Sequence, residues 1–322
     1  MKVVLFGALG RLGREVLSAR FGNRVAIETC SPNDDADVLA TTLGDADVFI
    51  SSSFNQSMPD MQKLQLLQLP MSGYDDIDFD AVPTGTAICN VYEHETGIAE
   101  YVFAAMLNDV VHLSASNDLF KTGDWRESPR LGAATRGELM GKTILCVGYG
   151  NIGQAVGRRA RAFEMGLLAL TRNPRELTPK VDRMGGYEEL ADFLPAADYV
   201  LICCPLTEDT RSMIARSAFK AMKSDAVIIN VARGPIIDQQ ALHDALSEND
   251  IRGAVIDTWY NYPDGQNRSV EPADVPVHKL DQVLVTPHVS GWTDGQQRRR
   301  WERMGDNIEN LLAGRPLDNI LR

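Results

Sequence analysis

Short apolar runs recur along the chain, each followed by a glycine-bearing or polar turn and then by a stretch with helical spacing. Apolar runs bounded by turn signals predict buried strands, and recurrence near every third or fourth residue predicts amphipathic helices. Residues 2–6 predict a strand and residues 10–20 a helix. Residues 24–29, 47–51 and 87–91 predict further strands, so roughly the first 100 residues form a small α/β domain of their own. Residues 96–112 predict a long helix with Ile98, Val102, Ala105, Met106 and Val110 on its apolar side, and residues 121–125 a loop. A second run begins at Gly141. Its strands are predicted at 143–147, 167–171, 199–203, 226–230, 253–257 and 283–286, with helices at 154–163, 187–194, 217–222 and 239–247. A last helix, residues 294–312, is stopped by Gly314 and Pro316. Strands that alternate with helices imply doubly wound parallel sheets, here in two α/β domains.

Composition narrows what such a fold can do. The chain has 322 residues, enough for about two domains, and a formal net charge of −12. That charge disfavours non-specific binding to nucleic acid or to an anionic membrane. No apolar stretch approaches the ~18 residues of a membrane span, and residues 1–10 lack the features of a signal peptide, so a cytoplasmic protein is expected. Cys30, Cys89, Cys146, Cys203 and Cys204 are odd in number, and most lie in apolar runs. They read as buried free thiols, and no spacing suggests a metal site.

The most informative stretch is Gly148-Tyr149-Gly150-Asn151-Ile152-Gly153, between the strand at 143–147 and a helix. Glycines at this spacing give a tight turn, a close backbone approach for a pyrophosphate and close helix–strand packing, while the helix N-terminus offers free N–H groups. A dinucleotide site is therefore expected here. A second glycine-rich turn, residues 7–13, reads as a plain strand-to-helix turn, with a second nucleotide site as the alternative. The strand at 167–171 runs into Thr171-Arg172-Asn173-Pro174-Arg175. The carboxylate that would accept the ribose hydroxyls of NAD is missing there, and Arg172 is placed to pair with a 2′-phosphate, so NADP is expected over NAD.

Ligands of open α/β sheets bind beyond the carboxyl ends of the strands. Arg233, Asp257 and His288 fall at three such ends. A guanidinium can clamp a carboxylate, an imidazole can exchange a proton near neutral pH, and a nicotinamide supplies hydride. Together they suit reduction of a 2-oxo acid or oxidation of a 2-hydroxy acid.

These stretches resemble the D-isomer-specific 2-hydroxyacid dehydrogenases. The likeness rests on Val147–Gly153, on Cys204-Pro205-Leu206-Thr207-Glu208-Asp209-Thr210, on Asn230-Val231-Ala232-Arg233-Gly234 through Asp238, and on Thr286-Pro287-His288. Residues 71–77 and 98–100 match more weakly. The resemblance implies a flavodoxin-like substrate domain, residues 1–98 and 293–322, and a Rossmann cofactor domain, residues 99–292, with the active cleft between them and a homodimeric assembly. It implies that Arg233 binds the substrate carboxylate and carbonyl, that His288 is the acid/base and that Asp257 meets the nicotinamide amide. The loop Ser72-Gly73-Tyr74 would give backbone N–H groups to the substrate. Tyr149, Gly150, Asn151, Ile152, Thr171, Arg172, Asn173, Cys204, Pro205, Thr210, Val231, Ala232 and Gly291 would line the cofactor.

One position departs from the family. A Glu usually stands five residues after the strand-end Asp and pairs with the His; here that position is Tyr262. Formate dehydrogenases carry a Gln there, and residues 286–291 lean the same way. Tyr262 is expected beside His288, with Glu271 in the following loop as the rival partner. A glyoxylate- or hydroxypyruvate-type reductase is the expected activity. Formate or phosphite oxidation, the former weakened by the lack of a long N-terminal extension, and a non-catalytic dinucleotide-sensing dimer stay open beside it.

Overall fold

A computed structural model of the chain describes residues 1–7, 10–175, 178–263 and 268–322. The turn at 7–13 and the loop that carries Glu271 therefore lie partly outside the described residues. The chain separates into two compact units, Met1–Glu93 with Thr293–Arg322, and His94–Trp292.

In the first unit, strands β1 (Lys2–Phe6), β2 (Ala26–Cys30), β3 (Val48–Ile50), β4 (Leu66–Gln68) and β5 (Ala87–Cys89) form a parallel sheet in the order β2-β1-β3-β4-β5. This is the flavodoxin-like order, with its reversal between β1 and β3. Helices α1 (Gly10–Phe21) and α2 (Ala36–Leu43) connect the early strands, and the last helix, α9 (Asp294–Leu312), packs on α1. Thr293 caps α9 by accepting from the Gln296 N–H at 3.1 Å, which fixes where the helix begins. Trp301, Met304 and Ile308 bury one stripe of it beside Leu17 and Phe21. Each aliphatic side chain so buried contributes about 1.5–3 kcal/mol. Asn307 adds a polar anchor. Its Nδ2 donates to Gln68 Oε1 at 2.8 Å, so the polar side chain that interrupts β4 has a partner inside the core.

The second unit opens with α3 (Glu95–Val111) and α4 (Leu113–Lys121). Strands β6 (Thr143–Val147), β7 (Gly166–Leu170), β8 (Arg183–Gly185), β9 (Tyr199–Ile202), β10 (Val227–Asn230), β11 (Gly253–Ile256) and β12 (Val283–Val285) then pair in parallel in the order β12-β11-β10-β9-β6-β7-β8. The order reverses at β6, the strand that runs into Gly148, and a reversal is where open α/β sheets bind ligands. The inner strands β9, β10 and β11 are buried along their whole length, as expected for strands covered by helices on both faces. Helices α5 (Asn151–Ala162), α6 (Leu190–Phe193), α7 (Arg216–Ala221) and α8 (Gln239–Ser247) supply the cover.

Several elements differ from expectation. Strands β4 and β8 are interrupted by a polar or charged residue, Gln68 and Arg183, and do not read as apolar runs. Helices α2 and α4 were not anticipated. His112, in the left-handed conformation at φ 52°, ends α3 and lets the chain restart as α4. The helix expected at 187–194 is a short α-turn flanked by 3₁₀ turns, and Pro195 lies in the second of these.

Gly13 on α1 faces the fully buried ring of Trp301, and a Cβ built there would lie 2.2 Å from an indole carbon. The rigid ring has nowhere to go, so Gly13→Ala must push α1 and α9 apart. Overpacking of this kind costs about 1–3 kcal/mol. Urea unfolding of the full chain should show a lower midpoint for Gly13→Ala, and an unchanged midpoint would mean that the helix contact is soft.

Candidate active site

The turn after β6 is shaped by what surrounds its glycines. Gly148 sits at φ +103°, and a Cβ there would come within 2.6 Å of the Cys204 backbone nitrogen. The Cys203 thiol donates to the Gly148 carbonyl at 3.0 Å. Gly153 lies so close to the Gly148 carbonyl that a Cβ would be 2.5 Å from it. Gly150, by contrast, has nothing within 4 Å of its missing Cβ and caps α5 without a side chain. The open surface above Gly150, with the first N–H groups of α5 behind it, fits the pyrophosphate of a dinucleotide.

The other expected cofactor residues take up varied positions. The Tyr149 ring is buried, and its hydroxyl donates to the Pro179 carbonyl at 2.9 Å, so only its backbone is left for a ligand. Asn151 and Ile152 form the first turn of α5. Thr171 follows β7, and Arg172 and Asn173 are exposed just beyond it. The charge of Arg172 reaches Tyr187, whose hydroxyl is pushed above its ordinary range chiefly by burial. After β9, Cys204 is buried and its thiol is pushed up to about 12 by burial. Thr210 is wholly buried, and its hydroxyl donates to the Pro205 carbonyl at 2.8 Å, so it shapes the turn. Val231 and Ala232 are buried at the end of β10.

At that same strand end Asn230 accepts from the Ala232 N–H and donates to the Arg233 carbonyl, both at 3.0 Å. This one amide holds the loop that presents Arg233. Gly234 follows because a Cβ there would lie 2.4 Å from the Trp259 carbonyl. The spacing Asn-x-x-Arg-Gly thus has a local cause in packing.

Asp257 follows β11 and is fully buried. Its carboxylate accepts from Thr286 Oγ1 at 2.6 Å, from the Val289 N–H at 2.8 Å and from the Ser290 N–H at 3.0 Å. These bonds bracket His288, which stands at φ +60°, a conformation uncommon for any residue but glycine. Thr286 is held further by Trp259, whose indole N–H donates to its carbonyl at 2.8 Å. Gly291 continues the turn, and a Cβ built there would lie 3.4 Å from the side chains of His94 and Ile98.

Tyr262 stands beside His288, its hydroxyl 2.9 Å from Nδ1. Glu271 does not reach this histidine. It meets His278 Nε2 at 2.8 Å and Lys279 Nζ at 3.2 Å, and these partners hold it below the usual carboxylate range, Lys279 foremost. The Tyr262 oxygen also accepts from the Trp259 N–H at 3.1 Å, which leaves its own proton for His288. His288 as a whole is exposed, yet its ring is crowded by protein. That partial desolvation holds the imidazole below its ordinary value, opposed by the nearby Asp257 charge and reinforced by Arg233. Arg233, His288, Asp257 and Tyr262 thus act on one another, with a cation and a proton-exchanging group in one place.

In the first unit, Ser72 and Gly73 lie in a partly buried turn after β4, and Tyr74 is exposed and edge-on to Phe79. The buried Asn90 donates to the Ser72 carbonyl at 2.8 Å and steadies that turn. Sequence reasoning did not single out Asn90, Tyr101 or Trp259. The Tyr101 hydroxyl meets Thr286 across 185 positions of chain, so no local spacing could have revealed it.

Residues 103–290 match the family described as D-isomer specific 2-hydroxyacid dehydrogenase, NAD binding domain. A D-3-phosphoglycerate dehydrogenase of Methanocaldococcus jannaschii is 30% identical over 88% of this chain, which spans 53% of that protein. A glyoxylate reductase of Pyrococcus furiosus is 32% identical over 87% of this chain and 80% of its own length. Among solved structures, a D-isomer specific 2-hydroxyacid dehydrogenase family protein of Aeromonas salmonicida shares the fold over 100% of this chain and 98% of its own, with TM-score 0.84 at 23% identity. Among the described residues no helix is long and apolar enough to cross a membrane. The glycine turn, the strand-end residues and this match over more than half its length place the chain in the D-isomer specific 2-hydroxyacid dehydrogenase family of NAD(P)-dependent oxidoreductases.

Proposed function

We propose that the protein reduces a small 2-oxo acid of the glyoxylate or hydroxypyruvate type to the D-2-hydroxy acid, with His288 as proton donor and Arg233 as the carboxylate clamp. The observation that carries the reading is the grouping of Arg233, His288 and Tyr262 in the loops after β10, β11 and β12, in the unit that holds the glycine turn, together with likeness to a named glyoxylate reductase. The dinucleotide, when bound, supplies the hydride. Gly150, Asn151 and Ile152 are proposed to hold its pyrophosphate, and Asp257 its carboxamide. The backbone N–H groups of Ser72, Gly73 and Tyr74 are proposed to meet the substrate carboxylate.

The protein's own task is to place a proton. The carbonyl oxygen must gain one as it is reduced, so His288 has to enter the reaction as imidazolium. In that form its Nδ1–H donates to the Tyr262 oxygen. In neutral imidazole the Tyr262 O–H donates to Nδ1 instead. A phenol orients the ring in both states but does not add the negative charge with which a carboxylate would stabilise the cation.

The pH dependence follows. The acid form is complete below the His288 pKa and is lost as pH rises through it. With the imidazole held below its ordinary value, kcat/KM for reduction should fall with a midpoint below about 6.5. Glyoxylate, hydroxypyruvate, pyruvate and phenylpyruvate with NADPH form the substrate panel. Tyr262→Glu should raise the midpoint by about one unit, some 1.4 kcal/mol, and Glu271→Gln should leave it in place. Wild-type protein inert towards the whole panel would reject the function; a midpoint moved by Glu271→Gln and not by Tyr262→Glu would reject the pairing.

NADP is the proposed cofactor, because β7 ends without an acidic residue and the exposed Arg172 follows it. Arg172→Ala should lower kcat/KM for NADPH by about tenfold, or 1.4 kcal/mol, and leave NADH little changed. A wild-type preference for NADH would sink this reading.

A homodimer in the cytoplasm is also proposed. Leu113, Phe120, Trp125, Leu131 and Met140 are all more than half exposed along α4 and the chain after it. Apolar side chains grouped this way mark an interaction surface, and a second copy is the proposed occupant. Sedimentation should give twice the 35.4 kDa of one chain. Replacing Leu113 and Trp125 by Ser should return it to one; a monomeric wild type would end the idea.

A further inference from the structure

The Tyr101 hydroxyl lies 2.7 Å from Thr286 Oγ1, which lies 2.6 Å from Asp257 Oδ1. The direction of these bonds follows from the inventory of protons. A carboxylate can only accept, so the single Thr286 proton goes to Asp257, and Tyr101 must therefore donate to Thr286. Burial, the main influence, pushes the Tyr101 hydroxyl above its ordinary range and keeps it a donor. Asp257 already accepts from Thr286, Val289 and Ser290. Of roughly four lone-pair sites on a carboxylate, one remains, on Oδ2, and its direction depends on how rigidly the rest are held.

We propose that Tyr101 is a positioning residue for the reaction: through Thr286 and Asp257 it fixes the left-handed turn that carries His288. The turn is costly for a non-glycine residue and persists only where the surroundings over-determine it. Tyr101 supplies such a constraint from α3, an element that contributes no other residue to the proposed chemistry. Val289 and Ser290 flank the strained position on its far side, Thr286 on its near side, and all three converge on one carboxylate. Loosening any of them should misdirect the imidazole and leave the carboxylate clamp at Arg233 as it was.

The inference rests on His288 being the acid of the proposed reduction, so the test has an arm that does not need turnover. Tyr101→Phe, Thr286→Val, Thr286→Ser and the double variant Tyr101→Phe/Thr286→Val are compared with wild type. Amide exchange is read at Val289 and Ser290 in the protein without cofactor, and kcat and KM are read with NADPH and the best 2-oxo acid. Tyr101→Phe and Thr286→Val should each speed exchange at Val289 and Ser290 by at least several-fold, while the amides of β6 stay protected. Each should lower kcat by about tenfold with KM little changed. Thr286→Ser, which keeps the hydroxyl, should restore both readings, and the double variant should be no worse than Thr286→Val, as residues of one chain of bonds behave. Exchange and kcat at wild-type values in Tyr101→Phe would overturn the proposal, as would losses that add in the double variant or that fall on KM as much as on kcat. If the wild type reduces no 2-oxo acid, the reductase reading fails, and the exchange arm still decides whether Tyr101 holds the turn.

Discussion

Three hydrogen bonds onto the buried carboxylate of Asp257 hold the turn that carries His288. A carboxylate in the protein interior is costly unless its lone pairs are satisfied. Here the donors are the side chain before His288 and the two backbone amides after it. Satisfying the buried charge and setting the turn that carries His288 are therefore one requirement. Neither strand geometry nor loop propensity would by itself keep His288 at a positive φ. The carboxylate does so because it would otherwise be left unpaired.

The same economy recurs at the neighbouring strand end. Asn230 uses one amide to accept from Ala232 and to donate to Arg233, while Gly234 allows the loop to press against the Trp259 backbone. Trp259 then reaches in two further directions, from its indole to Thr286 and from its backbone to Tyr262. The parts around His288 are thus carried by short bonds between β10, β11, β12 and the loops that follow them. Such a frame is stiff because its hydrogen bonds tie one strand end to the next. It leaves the outer face of His288 and the surface above Gly150 open.

A phenol beside the histidine acts on the ring differently from a carboxylate. A charged partner would stabilise imidazolium over a wide pH range, whereas Tyr262 offers only orientation. The two charges that act on the ring oppose one another, Asp257 favouring its protonation and Arg233 disfavouring it, and burial decides the outcome. In this protein the imidazole of His288 is set by its surroundings as a readily deprotonated group, not as a permanently charged one.

Much of the architecture was legible in the residues. Strand β6 is an unbroken apolar run that ends on glycines at a diagnostic spacing, and α8 and α9 begin at residues with capping side chains, Asp238 and Thr293. Such local causes leave local traces. Strands β4 and β8 left none, because each carries a polar or charged residue, Gln68 or Arg183, in place of an unbroken apolar run, and Gln68 reads as polar until Asn307 meets it in the core. At the site, Arg233, Asp257 and His288 could be read from strand ends and motif spacing, and Tyr262 only through the family resemblance, which puts the partner of the histidine five residues after Asp257. That Glu271 turns to His278 and Lys279 could not be read, since a loop's course depends on contacts its own sequence does not encode. Nor could the bond from Tyr101 to Thr286, because a contact between residues so far apart in the chain exists only once α3 and β12 share one packed unit. The sequence by itself determined the fold class, the glycine turn and the identity of the chemical groups, all of which follow from period and spacing. Only the tertiary structure decided which of those groups touch, because distance and direction arise from how the elements pack.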